Sequence, residues 1–241
     1  MDICLEQMGN RATFKKEELF DVIESLGRVF SERYLEKYLS SLQKKGEIAR
    51  VGRNTYCIMG ELQDYYYSYA DTSEYIANIL TSDFYDLDFR IMEMYQLNRF
   101  INHQIAHNVI FVYVEKELCH SAFERLKKEF AGKILINPRE EDFYNYRTDD
   151  LIIVRNLMTE SPKGRDARWH TELEKLLVDV FSENLVKSML GESEYPQIFE
   201  TAFQNYVIDE SRMFRYAGRR KTADKIKNFL EKETDVKLRT R

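Results

Sequence analysis

The sequence predicts an α/β protein, α+β over its whole length, in two parts: a winged helix-turn-helix at residues 1–60 and a larger α/β domain at 61–241, whose short-stranded sheet is covered by helices. Three observations carry this. An amphipathic stretch near residues 31–45 runs through Gly46 into two short β-prone runs, local charge changes sign near residue 60, and beyond it short apolar runs alternate with amphipathic ones.

Residues 16–26 (KEELFDVIESL) read as a first helix, with Leu19, Phe20, Val22, Ile23 and Leu26 apolar. The break at 27–30 (GRVF) turns the chain into a second helix, where Leu35, Tyr38, Leu39 and Leu42 fall at i, i+3, i+4 and i+7 and line one face. Ser31 supplies an N-cap hydroxyl, and Gly46 suits the left-handed residue that ends a helix. Residues 47–51 and 55–59 then form the two strands of a ribbon that turns at Gly52, Arg53 and Asn54. A helix pair followed by such a ribbon is an arrangement that reads duplex DNA.

Charge follows the same geometry. Opposite the apolar face stand Arg33, Lys37, Ser40 and Lys44, joined by Lys45, Arg50 and Arg53. Residues 28–53 carry seven Lys or Arg against three Glu, on a chain of net charge −5. An acidic total does not oppose DNA binding, because counterion release scales with the phosphates actually neutralised. Arg33, Tyr34 and Lys37 are the candidates for the major groove; Lys44, Lys45, Arg50 and Arg53 are those for phosphates or the adjacent minor groove. The competing reading is a winged helix used for protein docking, with an ordinary solvated charged face.

After residue 60 the chain turns acidic, with eight acids against Arg90 alone over 61–93, which marks the domain boundary and suggests a detachable N-terminal module. Helices are predicted near 73–80, 96–103 and 118–130, and strands near 88–92, 109–114, 133–136 and 151–154. A charged connection spans 137–150, and helices at 172–181, 195–206, 210–216 and 222–231 close the domain. Thr171 and Glu174 have capping-box spacing.

The 241 residues are 44% hydrophobic and 32% charged, ordinary for a soluble protein with a sizeable core. Only 9 Gly and 3 Pro occur, which favours helices and leaves little for a phosphate-cradling glycine loop. Cys4, Cys57 and Cys119 are too few and too scattered for a disulfide framework or metal cluster. With no leader-like N-terminus and no long apolar run, a cytoplasmic protein without membrane contact is expected.

Catalytic arrangements are weakly represented. A metal-dependent nuclease would use Asp88 with an acid-X-Lys on the next strand, but Glu117 stands where that lysine belongs. His103 and His107 have a spacing that could put two imidazoles on one helix face, without an obvious third ligand. The adjacent Cys119 and His120 do not read as nucleophile and base. No catalytic residue, metal or cofactor is therefore assigned. Residues 212–241 carry eleven Lys or Arg against four acids, a second cationic stretch suited to an acidic partner or nucleic acid, or else a solvated helix and frayed tail.

Several strings resemble the AbiEi-type antitoxins of bacterial type IV toxin–antitoxin systems, over nearly the whole chain. They are residues 39–56 (LSSLQKKGEIARVGRNTY), with Asn54 where a wing glycine is usual, and 97–104 (LNRFINHQ), 111–116 (FVYVEK), 173–179 (LEKLLVD) and 215–220 (RYAGRR). Such strings are similar to an AbiEi-related subgroup of unassigned function. The resemblance implies a non-enzymatic, DNA-binding antitoxin that represses its own operon at inverted repeats in its promoter. Its implied functional partner is a nucleotidyltransferase toxin, which it need not hold in a stable complex. The alternatives are a nuclease guided by the winged helix and a protein-interaction adaptor.

Overall fold

In the N-terminal part, three helices close over a small sheet because one face of each is apolar. The computed structural model describes residues 2–8, 13–59, 62–146 and 148–240, so the boundary expected near residue 60 lies outside the described residues. Helix α1 (Ile3–Gln7) and strand β1 (Phe14–Lys15), neither foreseen from sequence, precede α2 (Lys16–Ser25) and α3 (Glu32–Lys44). Strands β2 (Ile48–Gly52) and β3 (Thr55–Ile58) follow, and β3 lies between β1 and β2 in an antiparallel sheet. Leu35, Leu39 and Leu42 of α3 are buried against Leu19 and Ile23 of α2, with Cys4, Leu5, Phe14 and Ile48 completing the core.

Both ends of α3 form as the residues dictate. The Ser31 Oγ accepts the Tyr34 N–H at 3.3 Å, a cap worth about 1 kcal/mol. At the other end Gly46 takes φ 70°, and the N–H groups of Gly46 and Glu47 donate to the carbonyls of Gln43 and Leu42. Asn54 supplies the left-handed turn of the hairpin at φ 53°, a conformation asparagine tolerates better than most residues.

The larger part is an α/β layer. Helix α4 (Asp71–Asp83) leads into β4 (Phe89–Glu93), a 3-10 helix at Met94–Arg99 and β5 (Val109–Val114). Then come α5 (Cys119–Lys127), β6 (Ile134–Ile136), α6 (Glu140–Asn145) and β7 (Leu151–Asn156). The sheet order is β4-β5-β7-β6, with β4 antiparallel to β5 and the other pairs parallel. Five helices end the chain: α7 (Leu173–Ser182), α8 (Asn184–Met189), α9 (Glu194–Asn205), α10 (Glu210–Arg219) and α11 (Ala223–Glu233).

Strand alternation divides the core in two. Ile110, Val112, Val114, Ile152 and Val154 meet α4 and α5 on one face. Val109, Phe111, Tyr113, Leu151 and Ile153 meet α7 and the C-terminal helices on the other.

Three local expectations change. The helix expected at 96–103 stops at Arg99 and residues 101–107 are irregular, α6 fills part of the connection at 137–150, and α8 is a helix not foreseen from sequence. The Thr171 hydroxyl donates to the Ile91 carbonyl at 2.7 Å and does not cap α7, whose N-cap is Glu172. The N-terminal part is also not detached: Val51 and Cys57 pack on Val207, and the Arg53 N–H donates to Ser211 Oγ of α10 at 3.1 Å. A Cβ on Gly52 would meet Thr240 Cγ2 at 2.5 Å, so glycine is what lets the hairpin approach the C-terminal segment.

Candidate nucleic-acid interface

Helix α3 presents its polar side to solvent because its leucines are consumed in the core. Arg33, Tyr34, Lys37 and Lys44 are all exposed there. Arg33, Lys37 and Lys44, spaced by four and seven residues, share one face. Tyr34 flanks them, 55% exposed, its ring edge-on to Phe30 with centroids 4.5 Å apart.

The acids of the helix point elsewhere. Glu32 and Glu36 both accept from Lys16 Nζ of α2, at 3.2 and 3.3 Å. These pairs are solvent-exposed and add little stability. Their consequence is electrostatic, since they turn two carboxylates toward α2 and leave the cations of the opposite flank without an acid partner on their own helix.

The remaining candidates are placed differently. Lys45 lines a shallow pocket with Asp2, Ile3, Arg28 and Glu47, beside two carboxylates. Arg50 Nε donates to the Gly52 carbonyl at 3.0 Å, folding that guanidinium along the hairpin. Arg53 has an exposed side chain, but its backbone is docked on α10. The structure thus brings Arg33, Tyr34, Lys37 and Lys44 together on one exposed helix and sets Lys45, Arg50 and Arg53 apart from them.

Of the other groups considered from sequence, His103 Nδ1 lies 2.8 Å from Glu194 Oε1 and His107 pairs with Asp149, so the two imidazoles serve different contacts. Among the described residues no three His, Cys, Asp or Glu side chains are grouped as metal ligands. Asp88 accepts from Arg90 Nη1 at 2.9 Å and shares the rim of a pocket of about 900 Å³ with Glu115, Lys116 and Glu117. The basic C-terminal stretch is partly turned inward. Arg215 stays exposed, paired with Glu160 at 3.0 Å, whereas Arg239 donates to the Phe203 carbonyl at 3.0 Å and Arg220 joins a buried cluster.

That cluster was missed from sequence. Lys175 and Asp179, one turn apart on α7, form an ion pair with both side chains fully buried. Tyr216 of α10 donates to Asp179 Oδ1 at 2.9 Å, and Arg220 Nε lies 3.6 Å from the same oxygen. Lys175 Nζ sits 3.5 Å from the centre of the Tyr113 ring, a cation–π contact. Burial pushes Lys175 below the usual lysine range, opposed by Asp179, and pushes the Tyr113 and Tyr216 phenols well up. The signal lay in the string ELEKLLVDVF, where an i,i+4 Lys–Asp pair interrupts an otherwise apolar run.

No curated protein matches this chain in sequence. A crystal structure of the RV2827C protein from Mycobacterium tuberculosis aligns at 10% identity over 95% of this chain and 79% of that one, with a TM-score of 0.26, too slight a likeness to relate the two folds. The profile of a family of unknown function, DUF6577, matches residues 34–236, and the chain belongs to that family.

Proposed function

We propose that residues 1–60 form a winged helix that binds duplex DNA through α3, and that the protein is the DNA-binding antitoxin and autorepressor of a type IV toxin–antitoxin operon. The observation that carries the DNA reading is the exposed face of Arg33, Lys37 and Lys44, whose helix has both its acids drawn off by Lys16. The element order α1-β1-α2-α3-β2-β3, with α3 exposed along one side, supports the winged-helix reading. On this reading Arg33 and Lys37 reach base edges, Tyr34 packs at the groove wall, and Lys44 meets phosphate.

The antitoxin role rests on the separate resemblance of residues 39–56, 97–104, 111–116, 173–179 and 215–220 to AbiEi-type antitoxins. Its counterpart is a nucleotidyltransferase toxin, which it need not hold in a stable complex. The three cysteines are free and buried, in keeping with a reducing cytoplasm. No helix among the described residues is long and apolar enough to cross a membrane.

The test is a gel shift of the full chain on the DNA upstream of its own gene against a scrambled duplex of equal length. Preferential binding of the upstream fragment, at salt near 150 mM, is expected. Equal affinity for both duplexes contradicts the repressor reading.

A further inference from the structure

The carboxyl ends of β5, β7 and β6 open on a pocket of about 510 Å³, distinct from the α3 face. Its position is one at which open α/β sheets hold ligands. The chain leaves β5 toward α5 on one face of the sheet, and leaves the adjacent β7 toward α7 on the other. Connections that diverge to opposite faces leave a crevice between the strand ends.

The side chains there are rich in donors. Arg139, Arg155 and Arg220 line the pocket, with Glu140 and Glu183 as its acids. Glu183 is shared by two of those cations, 3.1 Å from Arg155 Nη2 and 3.7 Å from Arg220 Nη2, so one carboxylate serves two guanidinium groups. Asn137 and Asn156 add amides from the loops after β6 and β7.

The wall also contains donors without an acceptor. Tyr113 is 2% exposed, lines the pocket, and its hydroxyl has no hydrogen-bond partner among the described residues. The Arg155 Nε is buried and equally unpartnered. Tyr113 and Arg155 are register partners on the parallel strands β5 and β7, so their side chains leave the same face of the sheet as neighbours. Lys175 against the Tyr113 ring fixes the phenol in place. Buried donors left unpaired are costly, and an acceptor-rich group in the pocket removes that cost.

We propose that this pocket binds the phosphate group of a small ligand, with Tyr113, Arg155 and Arg139 donating to its oxygens. A phosphate offers three terminal oxygens to donors that arrive from β5, β7 and the start of α6. Those oxygens spread tetrahedrally and carry up to two negative charges, whereas a carboxylate presents two coplanar oxygens and a single charge to the same three-sided donor set.

Calorimetric titration of the full chain with inorganic phosphate, adenosine monophosphate and acetate tests this. Both phosphate probes are expected to saturate one site, and acetate to bind at least tenfold more weakly. Tyr113→Phe removes only a hydroxyl that the protein leaves unpaired. It should weaken phosphate binding about tenfold or more, the size of one hydrogen bond to an anion, with thermal stability kept or raised. Arg139→Gln should weaken it comparably. Phosphate binding unchanged in Tyr113→Phe, acetate binding as well as phosphate, or no saturation with either phosphate probe would overturn the proposal. Loss of DNA binding by Arg33→Ala leaves this titration unaltered, so the two readings fail separately.

Discussion

Asn in place of Asp179 changes one atom of the side chain and removes the charge beneath the C-terminal helices. Lys175 Nζ is fully buried, and Asp179 is the one acid that pairs with it among the described residues; its other close neighbour is the Tyr113 ring at 3.5 Å. Removing one partner of a buried ion pair costs about 3–5 kcal/mol, because the other charge is left uncompensated. For a chain of this length each kcal/mol moves the melting midpoint about 2–4 °C, so Asp179→Asn should melt roughly 6–20 °C lower. The pH dependence follows from Lys175, which burial already holds below the usual lysine range. Asp179 opposes that shift, so removing it lowers the native value further below that of the unfolded chain. The unfolded state then binds the extra proton, and stability must rise with pH up to the unfolded lysine pKa of about 10.4. Scanning calorimetry at pH 7 and 9.5 reads both effects, and Lys175→Met combined with Asp179→Leu should recover much of the loss. A single variant that melts within 2 °C of the wild type, or one whose deficit is the same at both pH values, would refute the reasoning.

Glu174 gives a second pH signature. It is 1% exposed, its Oε1 accepts the Asp209 N–H at 2.9 Å, and burial raises its pKa. The native carboxyl therefore holds its proton to higher pH than the unfolded one, and the stability this supplies is lost as pH rises from about 4.3 through the native value. Glu174→Gln keeps the acceptor for Asp209 and should gain on the wild type across that window in urea midpoints; a difference constant with pH contradicts this. Glu210 latches the C-terminal segment: its carboxylate accepts the N–H groups of Arg239 and Thr240 at 2.7 and 2.8 Å and the Thr240 hydroxyl at 2.6 Å. Losing a hydrogen bond to a charged group costs about 1.5–3 kcal/mol, so Glu210→Ala should accelerate carboxypeptidase trimming at least tenfold. Hydrogen exchange at Arg53 should quicken with it, since Thr240 covers the hairpin at Gly52. Unchanged trimming would show that the segment is held by other contacts.

Helix α3 was legible because its periodicity, N-cap and glycine stop agree, and local agreement of that kind survives into the fold. The strands β5 and β7 were legible as β-branched runs buried on both faces. Residues 101–107 misled because side-chain amides replace helical hydrogen bonds there: Asn98 Oδ1 accepts the Ile105 N–H at 2.8 Å, and Gln104 Nε2 donates to the Asn98 carbonyl at 3.0 Å. Thr171 has the spacing of a cap, yet its hydroxyl serves β4, eighty residues away in sequence. Charge counting could not reveal that Arg220 and Arg239 face inward, nor that Ile226, Phe229 and Leu230 make the basic tail part of the core. For the same reason truncation at Ala217 would remove core residues along with the basic surface. Of the seven DNA-contact candidates, the four on α3 followed from helical spacing alone. The surroundings of Lys45, Arg50 and Arg53 depend on α1, on the hairpin bulge near Val51 and on α10, which no local pattern announces.

The central claim is that the α3 face binds duplex DNA, and it is tested most directly by the salt dependence of binding in the double variant Arg33→Ala with Lys37→Ala. Anisotropy titrations on the upstream duplex between 50 and 200 mM salt give the slope of log affinity against log salt, which changes by about 0.9 for each phosphate that the protein no longer neutralises. The variant should bind at least tenfold more weakly than the wild type and lose its preference for the upstream sequence, with a slope shallower by up to about 2 units where these cations also meet phosphate. A variant with wild-type affinity, slope and sequence preference would contradict the assignment of this face.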